Sequence, residues 1–375
     1  MKMNKNLILV ISIIVMFLVA SCAPQAADDG KAEVGEVVFG FVEPLTGDVS
    51  SYGEGNKQAV ELAVNEINAA GGIAGKTLRV IYEDGKCNAK DAVNAGNKLI
   101  NVDGVKYIIG GLCSGETLAI APLAEDKGVI MMSPGSSSPD ITNAGDYIFR
   151  DYVNDNFVGA ILAEEMYNAG HEKVALLYSL NDYSQGLAAV FVSEFEALGG
   201  EIVYEESFVQ GTKDLRSLVS KAKEAKADGI TFLGYTQSSI AFFKQKKELG
   251  LDVPVYGADV FADTEIVEGA GAAFDGTRYL ILADSASEEF KAKMKAKTGE
   301  DDLKLASANA YDAVYVLASA VNAVGDNPAE VKDWLYVMEE YSGESGPISF
   351  DENGDLEEAS FELWEIQAGK PVLVG

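Results

Sequence analysis

An α/β chain of two doubly wound lobes with parallel-sheet cores is predicted by three features. Short apolar strands alternate with amphipathic helices almost throughout, so successive strands run parallel as βαβ units. The rhythm stops near residue 150 and restarts, giving two such runs. The 375 residues exceed what one ordinary core organises, and hydrophobic residues make up 48% of them.

The elements follow in order. Residues 37–42 read as a strand, and residues 55–70 as a helix with Ala59, Val60, Ala63, Val64 and Ile67 on one face, stopped by Gly71-Gly72. Strands at 78–82, 107–111 and 129–132 alternate with helices near 91–102 and 116–126. After a strand-like stretch at 147–150, helices at 156–169, 185–198, 215–225 and 238–249 lead to strands at 174–178, 202–208, 230–234 and 255–257. The tail departs from this pattern, with a strand at 278–283 and helices at 288–297, 306–324 and 329–339. Two strand-like runs, 347–350 and 360–367, enclose Asn353-Gly354, which predicts a hairpin between them.

The first residues do not read as part of this fold. Lys2 and Lys5 precede an apolar run, 7–20, too short for a comfortable membrane span and suited to an export signal. Val19-Ala20-Ser21-Cys22 resembles a lipoprotein cleavage site, which predicts a signal peptide over 1–21 and a lipidated Cys22. Residues 22–35 then form a tether, and the chain is expected to be lipid-anchored on the outer face of the cytoplasmic membrane. Cys87 and Cys113 remain as one pair, either joined in a disulfide, as export favours, or buried as free thiols.

Composition excludes several functions. With 59 Asp+Glu against 29 Lys+Arg, the net charge of −30 repels nucleic-acid phosphates. The Ala70–Thr77 stretch AGGIAGKT lacks the first glycine of a phosphate loop and follows a helix rather than a strand. The single histidine, His171, sits at a predicted helix end, and no G-x-S-x-G turn presents a serine nucleophile. Gly354 stands fourth in Asp351-Glu352-Asn353-Gly354-Asp355, where a calcium loop needs glycine sixth. No enzyme activity, metal or cofactor is therefore expected.

Ligands of α/β sheets sit at the carboxyl ends of strands. Ser114 follows the 107–111 strand where a helix begins, so it either caps that helix or offers a hydroxyl beside free amides to a carboxylate. The run Ser133-Pro134-Gly135-Ser136-Ser137-Ser138-Pro139 is a stiff, donor-rich loop after the next strand.

Several stretches, in order and spacing, resemble the branched-chain amino-acid binding family, extracellular solute receptors of ABC importers. They are Pro44-Leu45-Thr46-Gly47 through Tyr52-Gly53, Glu66-Ile67-Asn68-Ala69-Ala70-Gly71-Gly72-Ile73, Glu83-Asp84-Gly85-Lys86-Cys87, Gly111-Leu112-Cys113-Ser114, Ser133-Pro134, Asp182-Tyr183 and Phe350-Asp351-Glu352-Asn353-Gly354. The resemblance implies the Venus-flytrap, type I periplasmic binding protein architecture with three hinge crossings near residues 152, 282 and 349. Lobe one would take 36–152 and 283–349, and lobe two 153–282 and 350–375. It implies the Cys87–Cys113 disulfide, a monomer, permease subunits as partner, and an amino acid, branched-chain first, as ligand. By the same resemblance Ser114 and Ser137 would hold the ligand carboxylate and the Gly135 carbonyl would accept from the ammonium. Tyr52 and Leu112 would wall the side chain, Tyr183 and Tyr235 would close over it, and Asp259 would pair with the ammonium. Asp259 stands where the family usually has Glu, and Glu116 brings a negative charge near the carboxylate pocket unless it faces solvent. An amide or short carboxylate as ligand, or a sensor passing closure to a signalling partner, are the alternatives.

Overall fold

The computed structural model describes residues 35–375. The expected signal peptide, Cys22 lipidation and nearly all of the tether lie outside the described residues.

A wholly parallel five-stranded sheet has the order β2-β1-β3-β4-β5, from β1 (Glu36–Glu43), β2 (Thr77–Asp84), β3 (Tyr107–Gly110), β4 (Ile130–Ser133) and β5 (Ile148–Arg150). Helices α1 (Ser50–Ala69), α2 (Ala89–Asn97) and α3 (Ser114–Lys127) connect its strands. Helix α1 begins earlier than its apolar face suggests, because Gly53 lets its first turn press on the preceding loop. A Cβ there would sit 2.2 Å from the Pro44 carbonyl oxygen.

The second sheet has seven strands. Its parallel part is β7-β6-β8-β9-β10, formed by β6 (Lys173–Ser179), β7 (Glu201–Phe208), β8 (Gly229–Leu233), β9 (Val255–Gly257) and β10 (Arg278–Leu282). Helix α4 (Asp155–Asn168) leads from β5 into β6, and α5 (Asp182–Ala197), α6 (Arg216–Glu224), α7 (Thr236–Glu248) and the short α8 (Thr264–Ala270), which the sequence reading missed, connect the strands that follow. Helices α9 (Glu288–Thr298), α10 (Ser307–Val324) and α11 (Pro328–Leu335) then return to the first sheet, where Val314, Leu317 and Val321 of α10 join Phe39, Ile109 and Met132 in one core.

The predicted hairpin through Asn353-Gly354 does not form. Strand β12 (Gly346–Ile348) pairs with β11 (Tyr341–Gly343), whereas β13 (Phe361–Gln367) joins β10 antiparallel and turns into β14 (Lys370–Leu373). The cause is Asp351, whose Oδ1 accepts from the Asn353 and Asp355 amides at 2.8 and 3.0 Å. This folds residues 351–355 into a closed loop, and pairing ends after the single Phe350–Leu356 bridge.

The Cys87–Cys113 disulfide is formed. Among the described residues, no helix is long and apolar enough to cross a membrane.

Candidate functional site

A cavity of about 20 Å³, partly open to solvent, lies where the carboxyl ends of strands from both sheets converge. Its lining includes Tyr52, Leu112, Ser114, Gly135, Ser137, Tyr183, Tyr235 and Asp259, completed by Val49, Cys113, Val260 and Leu305. Residues 112–114 leave β3 and 135–137 leave β4. From the other sheet, Tyr183 follows β6, Tyr235 follows β8 and Asp259 follows β9. The topology thus brings all of the sequence-nominated residues to one place.

Their hydrogen bonds refine the roles expected of them. Ser114 opens α3, and its Oγ accepts from the Ser138 amide at 3.1 Å, which ties the helix to the serine loop. Below it, the Ser133 and Ser136 hydroxyls donate to the Gly111 carbonyl at 2.7 and 2.9 Å. The Ser137 hydroxyl turns to Asp155 Oδ2 at 2.9 Å, a buried partner the sequence reading did not single out. The Tyr52 hydroxyl donates to Asp263 Oδ2 at 2.7 Å and lies 3.1 Å from Thr236 Oγ1, so this wall residue also bridges elements of the two sheets. Tyr183 and Tyr235 stack with ring centroids 5.8 Å apart.

Asp259 is the hub of the opposite side. Its Oδ1 accepts from the Val260 amide at 2.8 Å and the Tyr183 hydroxyl at 3.1 Å, and its Oδ2 from the Tyr152 hydroxyl at 2.6 Å. Burial raises its pKa, and these donors oppose the rise. Tyr152 went unrecognised in the sequence because nothing local shows that its ring, leaving β5, reaches a carboxylate 107 residues away.

The loop around Ser137 hangs on Arg150, a fully buried arginine. Arg150 donates to both Asp355 oxygens, at 2.6 and 2.7 Å, to the Ser138 carbonyl at 2.8 Å and to Thr142 at 2.9 Å. This fork-to-fork pair joins the serine loop to the Asp351–Asp355 turn.

Glu116 faces neither solvent nor the cavity. Its carboxyl is buried and accepts from the Cys87 and Cys113 amides at 3.0 and 3.1 Å. Burial pushes its pKa up to about 8. Burial also raises Glu43, Asp151 and Asp155 well above the usual carboxylate range. The native state therefore binds protons that the unfolded chain has released. The resulting stability is fully present below the unfolded pKa and is lost as pH rises through about 8. Denaturant unfolding is expected to give a lower midpoint near pH 9 than near pH 5.5, with a shallower slope in Glu116→Gln. A midpoint that climbs over this interval would contradict the assignment.

The periplasmic binding protein family model matches residues 36–370. The chain belongs to that family. This periplasmic binding protein is 32% identical over 335 residues to the leucine-, isoleucine-, valine-, threonine- and alanine-binding protein of Pseudomonas aeruginosa, covering 86% of this chain and 87% of the relative. Its fold matches a branched-chain amino acid transporter substrate-binding protein of Streptococcus pneumoniae solved with isoleucine (TM-score 0.81, 29% identity, 90% of this chain and 99% of the other). A solute-binding protein of Rhodopseudomonas palustris BisB5, solved with 3,4-dihydroxybenzoic acid, gives a TM-score of 0.79 at 25% identity, with coverages of 88% and 93%. Like its family, this periplasmic binding protein binds solutes and is not an enzyme.

Proposed function

We propose that this protein captures an amino acid, a branched-chain one first, and delivers it to the permease of an ABC importer. The observation that carries the reading is the polarity of the cavity. Ser114 at the start of α3 offers a hydroxyl beside helix N-terminal amides, suited to a carboxylate. Asp259 lines the same cavity and offers a half-buried carboxylate, suited to an ammonium. A zwitterion needs both, since either end buried without a partner costs several kcal/mol. Val49, Leu112, Val260 and Leu305 supply the apolar wall between them. The relative from P. aeruginosa and the isoleucine complex from S. pneumoniae support this ligand class.

In this reading residues 36–152 and 283–349 form one lobe and 153–282 and 350–375 the other. Ligand stabilises their closure by touching both. The exported chain acts as a monomer anchored through Cys22.

The dihydroxybenzoate complex of the R. palustris protein motivates a second reading, a benzoate-type carboxylate as ligand. Asp259 weighs against it, because such a ligand brings no cation to pair with that partly desolvated carboxylate.

Thermal unfolding of the soluble chain begun at Ala23, stripped of carried-over ligand by refolding, separates these readings. A branched-chain amino acid at a hundredfold excess over its Kd is expected to add about 2.7 kcal/mol of stability. A shift with hydroxybenzoates alone would replace the amino-acid reading with the second one. No shift across amino acids, amides and small carboxylates would sink both.

A further inference from the structure

Adjoining the ligand cavity is a larger one, about 520 Å³, and the two share Tyr52, Asp259 and Leu305 in their linings. Tyr152 lines only the larger cavity, is 2% exposed, and reaches Asp259 from that side. A carboxylate has about four acceptor positions. On Asp259 the Val260 amide and the Tyr183 hydroxyl occupy Oδ1 while Tyr152 occupies one side of Oδ2, which leaves the rest of Oδ2 for a ligand donor. Tyr183 lines the ligand cavity itself, so Tyr152 is the side chain that fixes Asp259 from outside it.

We infer that Tyr152 is a positioning residue for ligand binding, holding the Asp259 carboxylate in place for the ligand ammonium. The inference rests on the amino-acid reading of the site. It also accounts for Asp at a position where a longer Glu was expected by resemblance. The short side chain is held at the cavity edge by a tyrosine hydroxyl arriving from the 150–155 segment.

Electrostatics add a second consequence. The groups around Asp259 are mostly acidic or phenolic: Tyr152, Tyr183 and Val260 as direct donors, with Tyr52, Tyr235 and Asp155 feeling its charge. Arg150 acts on Asp155, and Asp263 on Tyr52. Loss of the Tyr152 hydroxyl removes the foremost influence opposing the effect of burial on Asp259. The ammonium binds the ionised carboxylate, so affinity falls as pH drops through the Asp259 pKa, and in Tyr152→Phe that fall moves to higher pH.

The test is calorimetric titration of wild type and Tyr152→Phe, from about pH 4.5 to about pH 8, with leucine and with its des-amino analogue 4-methylpentanoate. Tyr152→Phe is expected to weaken leucine roughly tenfold near neutral pH, to move its acid limb upward, and to leave the analogue unchanged. Equal weakening of both compounds, or an acid limb that stays in place, overturns the inference and makes Tyr152 a packing residue. Wild-type protein that binds the analogue as tightly as leucine, or binds neither, refutes the amino-acid reading itself and this inference with it. Tyr152→Phe keeps the ring, and an unchanged melting temperature without ligand confirms that the fold is intact.

Discussion

Asp259→Ala is expected to lose amino-acid binding by a factor between roughly thirty and several thousand. The range corresponds to about 2–5 kcal/mol for removing one partner of a buried charge pair. Much of it is the cost of leaving the ligand ammonium inside the closed cavity with no anion. The fold should survive. Asp259 is half-buried and carries a raised pKa, so its removal relieves a desolvation penalty even as Tyr152 and Tyr183 lose an acceptor. Calorimetry on the variant, together with its melting curve without ligand, checks both halves. Wild-type affinity in Asp259→Ala would remove the ammonium from this end of the cavity. Ser114→Ala is expected to be milder, because the amides at the start of α3 remain available to the carboxylate.

Arg150→Met is expected to cost about 3–5 kcal/mol of stability, the usual result of breaking a buried ion pair from one side. Asp355 would keep a charge facing only Thr142 and Asn154, and the Ser138 carbonyl would lose its donor. The same change frees the serine loop that lines the cavity, so ligand affinity should fall with stability. Chemical unfolding measures the first effect and calorimetry the second. The double variant Arg150→Met with Asp355→Leu should regain much of the loss, since an apolar pair of similar bulk removes the orphaned charge. A single variant that unfolds at the wild-type midpoint would show that the pair is not holding the loop.

Much of the architecture was legible in the chain because it rests on local rules. The alternation of strand and helix follows from apolar periodicity. The cavity lining was nominated from the ends of strands, where α/β sheets place ligands, together with the resemblance of whole motifs in order. One local rule failed. Asn353-Gly354 carries the hairpin signal, yet the Asp351 carboxylate captured the amides that a second strand would have used.

The sequence by itself determined the fold class and the acidic character, because side-chain type and spacing carry that information directly, while the residues nominated for the cavity came largely from the resemblance. Only the tertiary structure decided which oxygen meets which hydroxyl. Tyr52 met Asp263, Tyr152 met Asp259, Ser137 met Asp155 and Arg150 met Asp355 across separations of 211, 107, 18 and 205 residues. A buried polar group takes whatever partner the packing brings within reach, and no local pattern in the chain records which one that is.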